Sequence, residues 1–140
     1  MILWFVSTAV LTVWFVFRDP RFDYRLLIVG SVLPDLDGLF GGAGVMHSVL
    51  FSVLLLAAVM VGTAGRKPVR RLLLGLPIGT FLHLVFDGAP LPEAARGWWD
   101  VVLELVGLAV LVWVWRSSRL SEPAARRQFL RDGRLFTGAA

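Results

Sequence analysis

An all-α polytopic membrane bundle of about five spans, closed by a short basic C-terminal helix, is the fold this sequence predicts. Three observations predict it. Of 140 residues, 57% are hydrophobic, and mean hydropathy is +0.75, too apolar for a soluble domain of this length. The apolar residues gather into five runs separated by short polar stretches. Threading the chain across a bilayer five times places all but one of its 14 basic residues on one side, the asymmetry that orients membrane proteins.

The first run, Met1–Phe17, is interrupted only by Ser7, Thr8 and Thr12. A cleaved leader would open with a basic region and end at a small-residue site. No Lys or Arg precedes this run and Arg18-Asp19-Pro20 follows it, so a retained span is expected. The second run, Leu26–Leu33, is short, because a span takes about 20 residues. Extended to Phe40 it reaches, but then holds Asp35 and Asp37, and Pro34 marks a break before Asp35. Val45–Gly62 is the third run and Leu72–Phe86 the fourth, with Pro77 inside. Gly75 and Gly79 in the fourth form a small-xxx-small pair that lets helices approach closely. Val101–Trp115 is the fifth, broken by Glu104. Residues 1–118 are thus read as a helix bundle and 119–140 as a basic tail.

Arg18, Arg21 and Arg25 lie between spans one and two, and Arg66, Lys67, Arg70 and Arg71 between three and four. Arg116, Arg119, Arg126, Arg127, Arg131 and Arg134 follow span five; only Arg96 falls elsewhere. The expected location is the cell (inner) membrane of a bacterium, with the N-terminus outside and the tail cytoplasmic. The formal charge of +4 therefore reads as anchoring and not as nucleic-acid binding. The tail suits anionic headgroups, with a protein partner as the other use. Cysteine is absent, which excludes disulfides, thiolate metal sites and thiol nucleophiles.

Ionisable side chains stand out in such a chain, since each costs roughly 2.5–3.5 kcal/mol at the centre of an inserted helix. Asp35 and Asp37 end span two, His47 opens span three, His83 and Asp87 close span four, and Glu104 lies one turn into span five. All six fall at the outer ends of spans, at the depth where Trp98 and Trp99 mark an interface. His83 and Asp87, four apart, share a helix face, with Thr80 one turn before. Asp35 and Asp37 diverge in a regular helix, and converge only if Pro34 and Gly38 bend the backbone. Gly38, Gly41, Gly42 and Gly44 supply a loop able to bring His47 toward them. Imidazole and carboxylate together suit Zn²⁺, Mn²⁺ or Fe²⁺. Six candidates exceed one catalytic zinc and fit one or two ions acting on a phosphate ester. Asp37 is the expected general base. Ser48 and Ser52 share a face of span three and could bind ligands or substrate; Ser48 as nucleophile lacks an aligned base, since His47 points about 100° away on a helix.

Taken in order, Gly30-Ser-Val-Leu-Pro-Asp-Leu-Asp37, Met46-His-Ser48 and His83-Leu-Val-Phe-Asp87 resemble the YdjM-like family of bacterial membrane-bound metal-dependent hydrolases. The resemblance covers roughly Leu26 to Gly88. It implies an integral membrane protein with Asp35, Asp37, His47, His83 and Asp87 as metal ligands. The family is itself distantly similar to zinc-dependent phospholipase C, which implies a phosphoester substrate. The chain departs from the family pattern at Gly42, Ala43 and Met46, where a His, an Arg and a Thr are expected; Glu104 is the candidate replacement for the ligand. Two functions follow: a metal-dependent hydrolase of a lipid or lipid-linked phosphoester, or a non-enzymatic scaffold or partner subunit in which the metal pins helices together. A metal permease fits less well, because the charges cluster at one face and form no path across.

Overall fold

The structure, a computed structural model, describes residues 1–17, 22–39, 44–87 and 96–135. Arg18, Arg21, Gly41, Gly42 and Ala43, singled out above, lie outside the described residues. Every regular element among the described residues is helical, as the apolar runs predict. In chain order they are α1 (Ile2–Phe17), α2 (Tyr24–Val32), a 3-10 turn (Leu33–Asp35), α3 (Leu36–Leu39) and α4 (Val49–Gly62). Then come α5 (Lys67–Leu73), α6 (Gly75–Asp87), α7 (Arg96–Ser117) and α8 (Pro123–Asp132).

Two stretches of 21 residues, Lys67–Asp87 and Gly97–Ser117, are long and apolar enough to cross a membrane. α1 and α4 are apolar but shorter, at 16 and 14 residues. The fourth helical stretch begins earlier than its apolar run, because α5 carries Lys67, Arg70 and Arg71 into it and meets α6 across the single turn residue Leu74. The third begins later, at Val49. Ser48 is extended (φ −105°, ψ 142°) and its Oγ accepts the Phe51 N–H at 3.1 Å, which caps α4 and excludes Val45–His47 from it.

α1 runs antiparallel to α6 and α7, whereas α2 and α6 run parallel, with Gly75 against Leu27 at one end and His83 against Ser31 at the other. The start of α1 meets the end of α6, where the Phe5 and His83 rings lie 3.8 Å apart. α1 and α7 are antiparallel: Leu3 reaches Glu104 at one end, and Trp14 meets Trp113 at 5.6 Å toward the other. The core is narrow. Val6, Ala9, Val10 and Val13 of α1 pack with Tyr24, Leu27 and Val114. Much of the remaining apolar surface points outward, including Leu50, Leu54 and Val61 of α4 and Val101, Leu105 and Trp113 of α7.

The α2–α6 interface is the closest in the bundle, and glycine makes it so. A Cβ on Gly75 would stand 2.8 Å from the Leu27 nitrogen, and one on Gly79 would stand 2.6 Å from the Ser31 nitrogen. Backbone thus touches backbone, the contact the small-xxx-small pair anticipates.

At the opposite end the tail is not detached. Leu120 and Leu135 join the core beside Phe22 and Tyr24. The Tyr24 N–H donates to the Gly133 carbonyl at 2.9 Å. Arg25 donates to the Leu130 carbonyl at 2.7 Å while pairing with Asp23 at 2.5 Å. Gly133 ends α8 with φ +70°, the left-handed cap that glycine adopts without strain. Arg131 hydrogen-bonds Asp132 and holds that carboxyl below its ordinary range.

Candidate metal centre

The Asp35 end of the bundle gathers the two histidines of the chain. Asp35 sits in the 3-10 turn after α2, where Pro34 tightens the helix and changes its phase. The chain does not break there: α3 continues the helical path through Asp37. His47 lies in the turn before the α4 cap, and His83 lies one turn from the end of α6. One ligand atom each from Asp35, His47 and His83 falls within 4.8 Å of the others. These three residues could hold a metal ion.

His83 is the floor of the group, at 1% exposure. Its Nδ1 is 2.8 Å from the Ser31 carbonyl. A carbonyl only accepts, so Nδ1 carries the proton, and in the neutral imidazole Nε2 presents a lone pair. That Nε2 faces Asp35 Oδ1 at 3.9 Å. Both Nε2 and Asp35 Oδ2 are buried atoms with no hydrogen-bond partner. Two acceptors confronting each other without a donor are costly in an apolar surround. A divalent cation between them satisfies both. Tetrahedral zinc, with bonds of about 2.0–2.1 Å, sets its ligand atoms about 3.4 Å apart; the Asp35–His83 pair needs a contraction of about half an ångström. The donor set, two imidazoles and a carboxylate, suits that ion. Phe5 stacks on the His83 ring and fixes its plane. His47 meets the same ring edge-on at 5.2 Å and, being exposed, forms the rim.

Asp37 stands behind His47 and is not one of the three. Its Oδ2 accepts the Met46 N–H at 2.6 Å and faces His47 Nδ1 at 3.8 Å. A carboxylate behind a ligating imidazole orients the ring, a placement different from the free base expected of Asp37. Asp87, one turn beyond His83, is exposed and also outside the three. Glu104 is drawn elsewhere. Its Oε2 accepts the Leu3 N–H at 3.0 Å and its Oε1 lies 3.5 Å from the Met1 amine, so it caps the start of α1. A carboxylate complements the positive end of a helix, and that accounts for an ionisable group in α7. Ser48 Oγ is likewise occupied, by its cap and by the Val45 carbonyl at 2.7 Å. Thr80, behind His83, donates to the Pro77 carbonyl and offers nothing to the group.

Phe5 and Ser31 are the residues sequence reasoning missed. Ser31 contributes a main-chain carbonyl, which no side-chain motif encodes, across 52 positions. Phe5 sits in an apolar run where nothing marks it. Comparison of the chain with family models, curated proteins and solved structures finds no match.

Proposed function

We propose that this chain is a five-span membrane protein that holds a divalent cation, zinc or manganese, at Asp35, His47 and His83 near the outer interface. We propose further that it hydrolyses a lipid or lipid-linked phosphoester there. One observation carries the metal reading: His83 Nε2, buried and unpartnered, faces the Asp35 carboxylate and converges with it and His47. Three protein ligands leave a coordination position open, the pattern of catalytic sites; structural zinc sites are closed by four. When bound, the cation supplies Lewis acidity to a phosphoryl group. The chain's own groups hold and orient: Ser31 and Phe5 fix His83, and Asp37 fixes His47. The resemblance of the three motif blocks to membrane-bound hydrolases points the same way. The membrane reading rests on apolar helices left exposed: only 11% of the α7 window and 28% of the Lys67–Asp87 window is buried. A core helix of a soluble protein would be mostly covered.

The scaffold reading has one observation of its own. Asp37 is committed to the Met46 N–H and so ties α3 to the segment before α4, which favours a cation that pins helices.

The test is cation content and affinity of purified protein, compared with His83→Ala and with the hydrolysis of phosphatidic acid and a polyprenyl phosphate. Stoichiometric zinc or manganese, lost in His83→Ala, is expected together with hydrolysis. Equal content in both proteins would refute the metal site, and cation binding without turnover would leave the scaffold.

A further inference from the structure

Beneath the histidines a groove of about 450 Å³ runs between α1, α4 and α6. Its walls are apolar: Val16, Leu56, Ile78 and Phe81 among others, with Thr12 and Ser52 the only hydroxyls. Ser52 is 3% exposed, and its Oγ is buried with no hydrogen-bond partner. A hydroxyl in a helix ordinarily returns to a carbonyl one turn back, as Thr63 does to Val59 at 2.5 Å. Ser52 leaves that option unused, and among the described residues lining the groove only Thr12 carries another side-chain hydroxyl.

The groove is continuous with the metal centre. Phe81 and Leu82 immediately precede His83, and Ser52 lies in the first turn of α4, five residues after His47. Its wall on α6 extends from Leu82 to Pro77, about 7.5 Å, parallel to the helix axes. Val16, Val53 and Phe81 at its margin are half to two-thirds exposed, so it opens sideways. In a bilayer that opening faces lipid.

We infer that this groove seats the ester-proximal part of one acyl chain of a glycerophospholipid, with the ester carbonyl of that chain accepting from Ser52 Oγ. The inference rests on the metal-dependent reading for its outer end, where the phosphate of the same lipid would meet Asp35, His47 and His83. The order of groups matches: a phosphate lies a few bonds above its ester carbonyl, and the chain lies below. A free fatty acid fits less well, because its carboxylate would stand at Ser52 with no cation in the groove. The bilayer presents phospholipid at very high local concentration, so modest affinity fills the site.

The test uses the full chain in lipid nanodiscs with two phosphatidylglycerol probes. One carries a diazirine close to the ester, the other partway down the chain, at the depth of the inner end of the groove. After photolysis the first should label Ser52, Leu82 and neighbours, and the second Val16, Phe17 and Pro77. Leu56→Trp, which fills the groove from an exposed helix face, should cut labelling at these sites at least ten-fold while thermal unfolding and zinc content stay unchanged. Ser52→Ala should blur the depth order of the two probes. Labels spread equally over the exposed face of α7 would overturn the proposal, as would a diazirine fatty acid that reproduces the phospholipid pattern. Zinc is measured in the same samples. Ordered groove labelling without zinc would refute the metal reading and leave the chain site standing; zinc without groove labelling would do the reverse.

Discussion

Replacing Gly79 by alanine should damage the fold and the metal centre together. The added Cβ would lie 2.6 Å from the Ser31 nitrogen and 2.8 Å from the Gly30 carbonyl carbon. Both are backbone atoms of α2, so neither can turn aside as a side chain would. The Leu27 carbonyl oxygen is closer still, and ordinary contact begins near 3.4 Å, so relief needs α2 and α6 to part by about 0.6–1.0 Å. Over-packing of this kind typically costs about 1–3 kcal/mol, a fall of roughly 3–10 °C in melting temperature for a chain of this size. The same displacement falls on the Ser31 carbonyl, now 2.8 Å from His83 Nδ1. Stretched to about 3.5 Å, that hydrogen bond is lost, and the ring is no longer held with Nε2 toward Asp35. Loss of such an orienting partner typically weakens metal affinity 10–100-fold. Thermal unfolding in detergent and zinc competition against a chelator measure the two effects. Gly62→Ala is the control, since nothing lies within 4 Å of a Cβ there and helix propensity should raise stability by roughly 0.5–1 kcal/mol. If Gly79→Ala keeps both melting temperature and affinity, α2 and α6 are not in backbone contact and the positioning argument for His83 fails.

Other outcomes follow from the same geometry. Asp37→Asn keeps an acceptor for the Met46 N–H but loses the charge behind His47; in an enzyme phosphoester turnover should drop roughly 10–100-fold with little change in melting temperature, whereas in a scaffold Asp37→Asn and chelation should each lower the melting temperature. Gly133→Ala places a Cβ against the Asp23 carboxylate at a left-handed position, so α8 should detach and limited trypsin digestion should cut at Arg126 and Arg127 sooner than in wild type; equal digestion would show that the cap tolerates the change. Because the chain has no cysteine, Val45→Cys and Gly97→Cys should react with an impermeant thiol reagent in intact cells and Ala64→Cys should not; the opposite pattern would reverse the proposed orientation.

The sequence by itself determined that the chain is helical, where its apolar runs lie and which ionisable groups stand out among them. These properties are local: hydropathy is summed residue by residue, and a charge within an apolar run is visible without knowing its neighbours. Spacing also marked Gly75 and Gly79, because residues four apart share a helix face whatever that face meets. Helix limits were less legible, since Ser48 stops α4 by a hydrogen bond to Phe51 that a hydropathy run does not register. The tertiary structure decided which of six candidate ligands meet. It brought Asp35, His47 and His83 together, set Asp37 behind His47 and drew Glu104 to the start of α1. Two of these depend on partners distant in sequence, 52 positions between His83 and Ser31 and 101 between Leu3 and Glu104, while Asp37 meets Met46 only nine positions on through the turn before α4. Partner choice is a property of packed helices: a carboxylate goes to whichever unpaired donor the packing leaves nearest, and no spacing along the chain encodes that distance.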